Sequence, residues 1–233
     1  MKSETSNTLK TKLETLGKKL ELWDLKVNYG IKSGFNDAYQ IDEKTKDELI
    51  AKDPKNAEII MPLLRGRDVE RYGYNFANLY LINVYNGYTD NIKDFDKHIE
   101  KLGENQYRYK SDHTKEWHLA KRIEFGKGHQ VRVNRVILEE DYPTLFEYLQ
   151  QYETGLKKRE DQGTHWTNLR NCAYDSEFKK EKLFWAETIR VHKSDNQNFP
   201  RFGYDNKGTY TDKTVFIGIG EYLKYLLGFL NSS

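Results

Sequence analysis

The chain has 233 residues, enough for one large domain or two small ones with a proper core. Aromatic residues make up 14 %, which excludes a disordered chain, while 32 % charged residues and a mean hydropathy of −0.90 place much of it at or near the surface. The net charge is only +2 and Cys172 is the one cysteine, so an intrachain disulfide and a zinc-finger cluster are excluded and a reducing, cytoplasmic setting is expected.

The opening MKSETSNTLK is polar and unlike a signal peptide, and no apolar run approaches the ~20 residues that cross a bilayer. Leu9, Leu13, Leu16 and Leu20 predict an amphipathic helix that Gly17 weakens. Residues 22–42 read as a strand or hairpin. Leu25, Val27, Tyr29, Ile31, Phe35, Tyr39 and Ile41 alternate there with the polar or small Lys26, Asn28, Lys32, Asn36, Ala38 and Gln40. Within it GIKSGFNDAY carries Gly30 and Gly34, which signal a bulge, a turn or a close backbone approach.

EKTKDELIAKD predicts a short helix stopping before Asp53-Pro54. NAEIIMPLLRG predicts a further helical turn or two, leading into the loop RGRDVERYGYN. Residues 79–85 form the clearest strand, KDFDKHIEKLG predicts a charged helix ended by Gly103, and residues 106–115 read as loop. HQVRVNRVIL predicts a strand over 129–138. A helix at about 143–160 follows, with Leu145, Tyr148, Leu149, Tyr152 and Leu156 on one face. EKLFWAETIRV is strand-like, RFGYDNKGTYTDKTVFIGI reads as a hairpin with an Asn-Lys-Gly turn, and EYLKYLLGFLNSS is an apolar helix. With no repeat, linker or internal boundary, one α+β domain over residues 1–233 is expected, its mixed or antiparallel sheet flanked by helices. The end directly after the most apolar helix, without capping residues, is expected of a piece cut from a longer protein.

The charges are partly sorted. Residues 115–135 hold Lys115, Lys121, Arg122, Lys127, Arg132 and Arg135 against Glu116 and Glu124. A second basic run has Lys179, Lys180 and Lys182, continuing through Arg190, Lys193 and Arg201. Such stripes fit a nucleic-acid surface and fit an ordinary solvated face equally.

Catalytic patterns are sparse. None of the four prolines is paired, so the Asn-Pro-Pro-Tyr loop of adenine methyltransferases is absent. Phe216-Ile217-Gly218-Ile219-Gly220 mimics a glycine loop for S-adenosylmethionine, but only 13 residues follow it, and core packing at a helix start is the better reading. Asp161, Glu177 and Lys179 match the letters of a Mg²⁺-dependent nuclease, whose carboxylates hold the metal beside the scissile phosphate, yet they fall in or near the polar run DSEFKKEK. His113, His118 and His129 lack metal-site spacing.

Several stretches, in order, carry a resemblance. DLKVNYGIKSGFNDAYQID is similar to the opening of the target-recognition domain in Type IIG restriction–modification enzymes, with Ser33 in place of the commoner threonine. Pro62 to Asp68, PLLRGRD, resembles that family's Pro-x-Leu-Arg-Gly-Arg-Asp signature. Tyr142-Pro143, the helix ending LKKREDQG, and His165-Trp166-Thr167-Asn168-Leu169-Arg170 continue the match, and Leu226 to Ser232 resembles the start of the closing helix.

The resemblance implies a TaqI-like C-terminal specificity domain that recognises double-stranded DNA. No catalysis or cofactor is expected in this chain. A covalently linked adenine-N6 methyltransferase domain using S-adenosylmethionine, and often a Mg²⁺-dependent nuclease domain, are implied in the parent. A Mg²⁺-dependent nuclease using Asp161, Glu177 and Lys179, or a separate specificity subunit, are the alternatives. Under the resemblance Gly30 and Gly34 would let backbone approach a phosphate, with Lys32, Ser33, Asn36, Arg65, Arg67 and Arg170 as phosphate-contact candidates. Residues 90–138 match no signature, as expected where targets differ, and Arg132, Asn134 and Arg135 are the candidates there for reading bases.

Overall fold

The computed structural model describes residues 8, 11–12, 14–18, 22–189 and 199–232. Leu9, Leu13 and Leu20 of the first predicted helix lie outside these, as do Arg190 and Lys193; Leu16 is exposed. Among the described residues, no helix is long and apolar enough to cross a membrane.

The alternating pattern of residues 22–42 does not make one strand. Strand β1 (Leu25–Tyr29) pairs antiparallel with β14 (Val215–Gly220), Leu25 opposite Gly220 and Tyr29 opposite Phe216. It ends at Gly30, where a Cβ would lie 1.9 Å from the Asp212 carbonyl oxygen. The close approach that requires glycine here is therefore made by the protein's own backbone rather than a phosphate. The N–H of Gly30 donates to Val215 O at 2.8 Å and that of Ile31 to Thr211 O at 2.7 Å. Gly34 then adopts φ +70°, and the chain makes a helical turn, α1 (Asn36–Tyr39), before β2 (Gln40–Asp42). Ala38 and Tyr39, adjacent in sequence, are both buried, which no period of two allows.

Helix α2 (Glu43–Lys52) forms as predicted because both ends are specified locally. The Asp42 carboxylate accepts from the Thr45 N–H, and Asp53, preceding Pro54, is extended. The helical reading of residues 56–66 gives way to a 3-10 turn (Pro54–Glu58) and strand β3 (Ile60–Leu64). Strand β4 (Leu79–Ile82) lies between β2 and β3, and β13 (Tyr210–Thr211) adds to β3 in parallel. Burial in this sheet outweighs local preference for the apolar run IIMPLL.

Residues 88–133 build a β-rich insert of two three-stranded antiparallel sheets. One has β5 (Tyr88–Asn91), β10 (Gln130–Val133) and β9 (Ile123–Phe125); the other has β6 (Ile99–Gly103), β7 (Gln106–Lys110) and β8 (Trp117–Ala120). The predicted charged helix shrinks to the turn α3 (Phe95–His98), and the predicted loop is β7. Tyr107 and Tyr109 alternate inward from β7 onto a small core with Ile92, Ala120, Ile123, Val131 and Val133, separate from the main one. Tertiary pairing thus converts charged sequence into half-exposed strands.

The strand predicted over 129–138 ends at Val133 and is followed by the helical turn α4 (Leu138–Asp141), while α5 (Pro143–Gln150) and α6 (Glu153–Lys157) replace the single helix predicted over 143–160. Leu145, Leu149 and Leu156 are still buried together in the main core. Strands β11 (Lys182–Ala186) and β12 (Gly203–Asp205) complete a sheet ordered β1-β14-β11-β12. The predicted Asn-Lys-Gly turn exists: the Asp205 carboxylate accepts from the N–H groups of Lys207 and Thr209, and Gly208 has φ +76°. It joins two sheets rather than a hairpin, since β12 pairs with β11 and β13 with β3. The 216–220 glycine run lies within β14, where a Cβ at Gly218 would crowd the Trp185 ring at 3.2 Å. Helix α7 (Leu223–Leu230) buries Leu223 and Leu226 against Leu183.

One buried side chain joins the segments around GIKSGFNDAY. Arg159, 7 % exposed, donates from NH1 to Ser33 O at 2.6 Å and from NH2 to Trp166 O at 2.7 Å and Asn168 O at 3.0 Å. Its Nε donates to Leu156 O at 3.2 Å, and the guanidinium lies over the Tyr39 ring. Four carbonyls from three segments thus converge on one planar fork. Arg159→Met leaves these acceptors buried and is expected to lower the unfolding free energy by about 3 kcal/mol, measured by urea denaturation. Lys157→Met, at a half-exposed position, is expected to change it by under about 1 kcal/mol.

Asp175 is a buried carboxylate that accepts from Asn83 Nδ2 at 3.1 Å and the Tyr210 hydroxyl at 3.2 Å. Desolvation raises its pKa despite these hydrogen bonds. The folded protein therefore holds this proton more tightly than the unfolded chain. The associated stability is complete below the unfolded value of about 4 and is lost as pH rises through the higher folded value. Between pH 4 and 7 the stability of the wild type is expected to fall relative to Asp175→Asn, read from paired urea titrations.

Candidate nucleic-acid interface

The loop after β1, the PLLRGRD segment, the HWTNLR segment and the β13–β14 turn meet on one side of the fold. Gly66 N–H donates to Thr214 Oγ1 at 2.8 Å, tying the RGRD turn to the β13–β14 turn. Ile31 bridges Asp212, tying that turn to the GIKSGFNDAY loop, and Arg159 ties the loop to residues 166–168.

These contacts leave three clefts in series. The first, about 640 Å³, is lined by Arg65, Arg67, Arg201 and Glu187 and ends at Asp212. The second shares Asp212 and adds Lys213, Lys32, Asn36 and Asp161. The third shares Ile31 and Lys32 and adds Tyr29, Arg170, Asn171 and Tyr174. Together their walls hold six cationic side chains against three carboxylates. Asp212 is satisfied within the fold, accepting from the Thr214 N–H at 2.9 Å and its hydroxyl at 2.5 Å, and Asp161 pairs with Arg170 at 3.1 Å. The clefts form a trench whose accessible charge is positive.

The phosphate-contact candidates sort by whether their donors are already used. Lys32 is exposed and has no partner among the described residues. Arg67 is likewise exposed and unpaired among them. Arg65 instead pins the loop: its Nε and NH2 donate to the two Asp68 carboxylate oxygens at 2.9 and 3.0 Å. Asp68 Oδ2 also accepts the Arg65 backbone N–H, so this pair closes the RGRD turn. Ser33 is buried and its hydroxyl donates to Asn36 Oδ1 at 2.6 Å, which positions the exposed Asn36. Arg170, half exposed, keeps its ion pair with Asp161 on the trench wall. Trp166 packs on Phe146.

The base-reading candidates are largely built into the insert. Arg135 grips the Glu124 carboxylate, with Nε at 2.7 Å and NH2 at 2.5 Å, and donates to Asn168 Oδ1 at 3.2 Å. Asn134, at φ +57°, accepts from the N–H of Lys121 at 2.7 Å. Both hold the insert's strands and their junction with the main body. Arg132, on β10, reaches back instead, donating from NH1 to Asn86 O at 3.0 Å and to Asn171 Oδ1 at 2.9 Å. It thereby joins the insert to the far end of the trench.

The trench members that the sequence reading passed over are Lys213 and Asn171. Lys213 is a lone cation in the turn TDKT and gives no pattern; Asn171 gives none either.

The nuclease letters do not assemble. Asp161 pairs with Arg170, while Glu177 sits in a 3-10 turn and pairs with Lys180 at 2.9 Å. Among the described residues, no three His, Cys, Asp or Glu side chains are grouped to hold a metal ion. Cys172 is half-buried, and burial pushes its thiol up to about 12, leaving it unreactive near neutrality.

A scan against known protein families finds no match, and a search of curated proteins finds none. Among solved structures, the chain is similar to the Type IIL restriction-modification enzyme MmeI in complex with DNA. The match has 10 % identity, a TM-score of 0.46, and covers 92 % of this chain and 21 % of that one. The chain thus spans about a fifth of that protein's length.

Proposed function

We propose that this chain is a sequence-specific double-stranded DNA recognition module of the restriction–modification kind, with no catalysis of its own. The observation that supports this most is the row of three adjoining clefts, whose cationic lining begins at Arg67 and Arg201, passes Lys213 and Lys32, and ends at Arg170 beside Arg132 of the insert. Duplex DNA presents one negative charge per ~1.7 Å of axis, so a row of cations along a trench neutralises successive phosphates and fixes orientation. The motifs that resemble Type IIG target-recognition domains supply the walls of this trench. The part of the chain without a family signature forms the β insert at its end, the place for target-dependent contacts. Methyl transfer to adenine N6, with S-adenosylmethionine, and Mg²⁺-dependent cleavage would belong to covalently linked domains of a longer enzyme. The target adenine would be extruded there, while this module fixes the register.

Fluorescence anisotropy with a mixed-sequence duplex tests the reading. Affinity is expected to fall linearly on a log–log plot against salt, and Lys32→Ala and Lys213→Ala are each expected to flatten the slope by about one. Lys127→Ala, on the exposed tip between β9 and β10, is expected to leave the slope unchanged. Failure to bind at low salt, or equal effects of all three changes, would contradict the trench as the DNA surface.

A further inference from the structure

The orientation of the Asn171 amide is forced by groups that can only donate. The Thr164 backbone N–H donates to Asn86 Oδ1 at 2.9 Å, so the buried Asn86 must turn its NH2 the other way. That NH2 donates to Asn171 Oδ1. The Arg132 guanidinium, which has no acceptor, donates to the same oxygen at 2.9 Å. Both lone pairs of Asn171 Oδ1 are then in use, and its NH2 has no partner among the described residues. Asn171 itself is exposed and lines the third cleft with Lys32 and Arg170. The result is a donor held in one orientation by a three-residue relay running from the main body to the insert.

From this geometry we infer that Asn171 is a further DNA contact of the site proposed above, donating its amide hydrogens to an acceptor atom of the nucleotide whose phosphate lies against Lys32 and Arg170. The inference rests on that DNA reading. It also excludes one contact. Asparagine recognises adenine by donating to N7 while accepting from N6, and Asn171 has no acceptor left to do so. The group it takes is acceptor-only: guanine O6 or N7, thymine O4, or a phosphate oxygen. Asn86 and Arg132 act as positioning residues.

Asn171→Asp separates this role from a structural one. The carboxylate keeps both inward bonds and gains an ion pair with Arg132, so thermal stability is expected to hold or rise. The outward donor becomes an acceptor. Affinity for a mixed-sequence duplex of about 30 base pairs is expected to fall at least about tenfold below that of Ala173→Asp, an exposed neighbour that carries the same change of charge. Equal affinities of the two variants would overturn the inference while leaving the DNA reading standing. A wild-type protein that fails to bind any duplex would overturn both. Selection from duplexes randomised over about ten positions then identifies the acceptor. An unchanged preferred site with weaker binding throughout assigns a phosphate, and lost preference at one guanine or thymine assigns a base.

Discussion

A single buried guanidinium sets the shape of the candidate site. Arg159 makes no ion pair among the described residues and spends its donors on carbonyls of Ser33, Leu156, Trp166 and Asn168. Burial lowers its pKa from the ordinary arginine value, opposed by Tyr39 and Asp161, and a guanidinium remains charged under such pressure. Lysine could not do the same work, because its ammonium lacks the planar fork that reaches several carbonyls at once. Beside the clasp, Lys32 and Arg170 both line the third cleft.

The surface combines two kinds of charged residue with different duties. Arg65, Arg135 and Arg122 are committed to carboxylates within the fold and hold turns and strands in place. Lys32, Lys213 and Arg67 line the trench and carry no ion pair among the described residues. Arg132 and Asn171 stand between these groups, since their contacts cross from the insert to the main body. A rigid wall with solvated cations along it suits a partner whose charge repeats along its length, and a small β insert with its own core can vary without disturbing that wall.

Local chemistry was legible and remote pairing was not. Helix α2 could be read from Asp42 and the Asp53-Pro54 pair, and α7 from its apolar face, because a few neighbouring residues decide each. Strands β6 and β7 could not, since EKLG and QYRYK become strands only when paired with each other and with β8. The Asn-Lys-Gly turn could be found, but not that its two flanks belong to different sheets. In the site, the motif-bearing segments do come together, yet the roles within them are redistributed. Gly30 answers to Asp212 of the same chain, and Arg65, a phosphate-contact candidate in the sequence, is committed to Asp68. Arg159, in the charged run KKRED, looks like a solvated face in sequence, and only the convergence of four carbonyls in space gives it away. Asn171 shows no signal because its orientation depends on Asn86 and Arg132, far from it along the chain.

The central claim is that DNA lies along the trench walled by the β1–α1 loop, the β13–β14 turn and residues 170–174. Hydrogen–deuterium exchange of the protein with and without a saturating duplex tests it most directly. Slower exchange concentrated in peptides covering 29–36, 170–174 and 212–214 is the predicted result. A footprint confined to other surfaces, such as the outer face of α7, with those three segments unchanged, would contradict it.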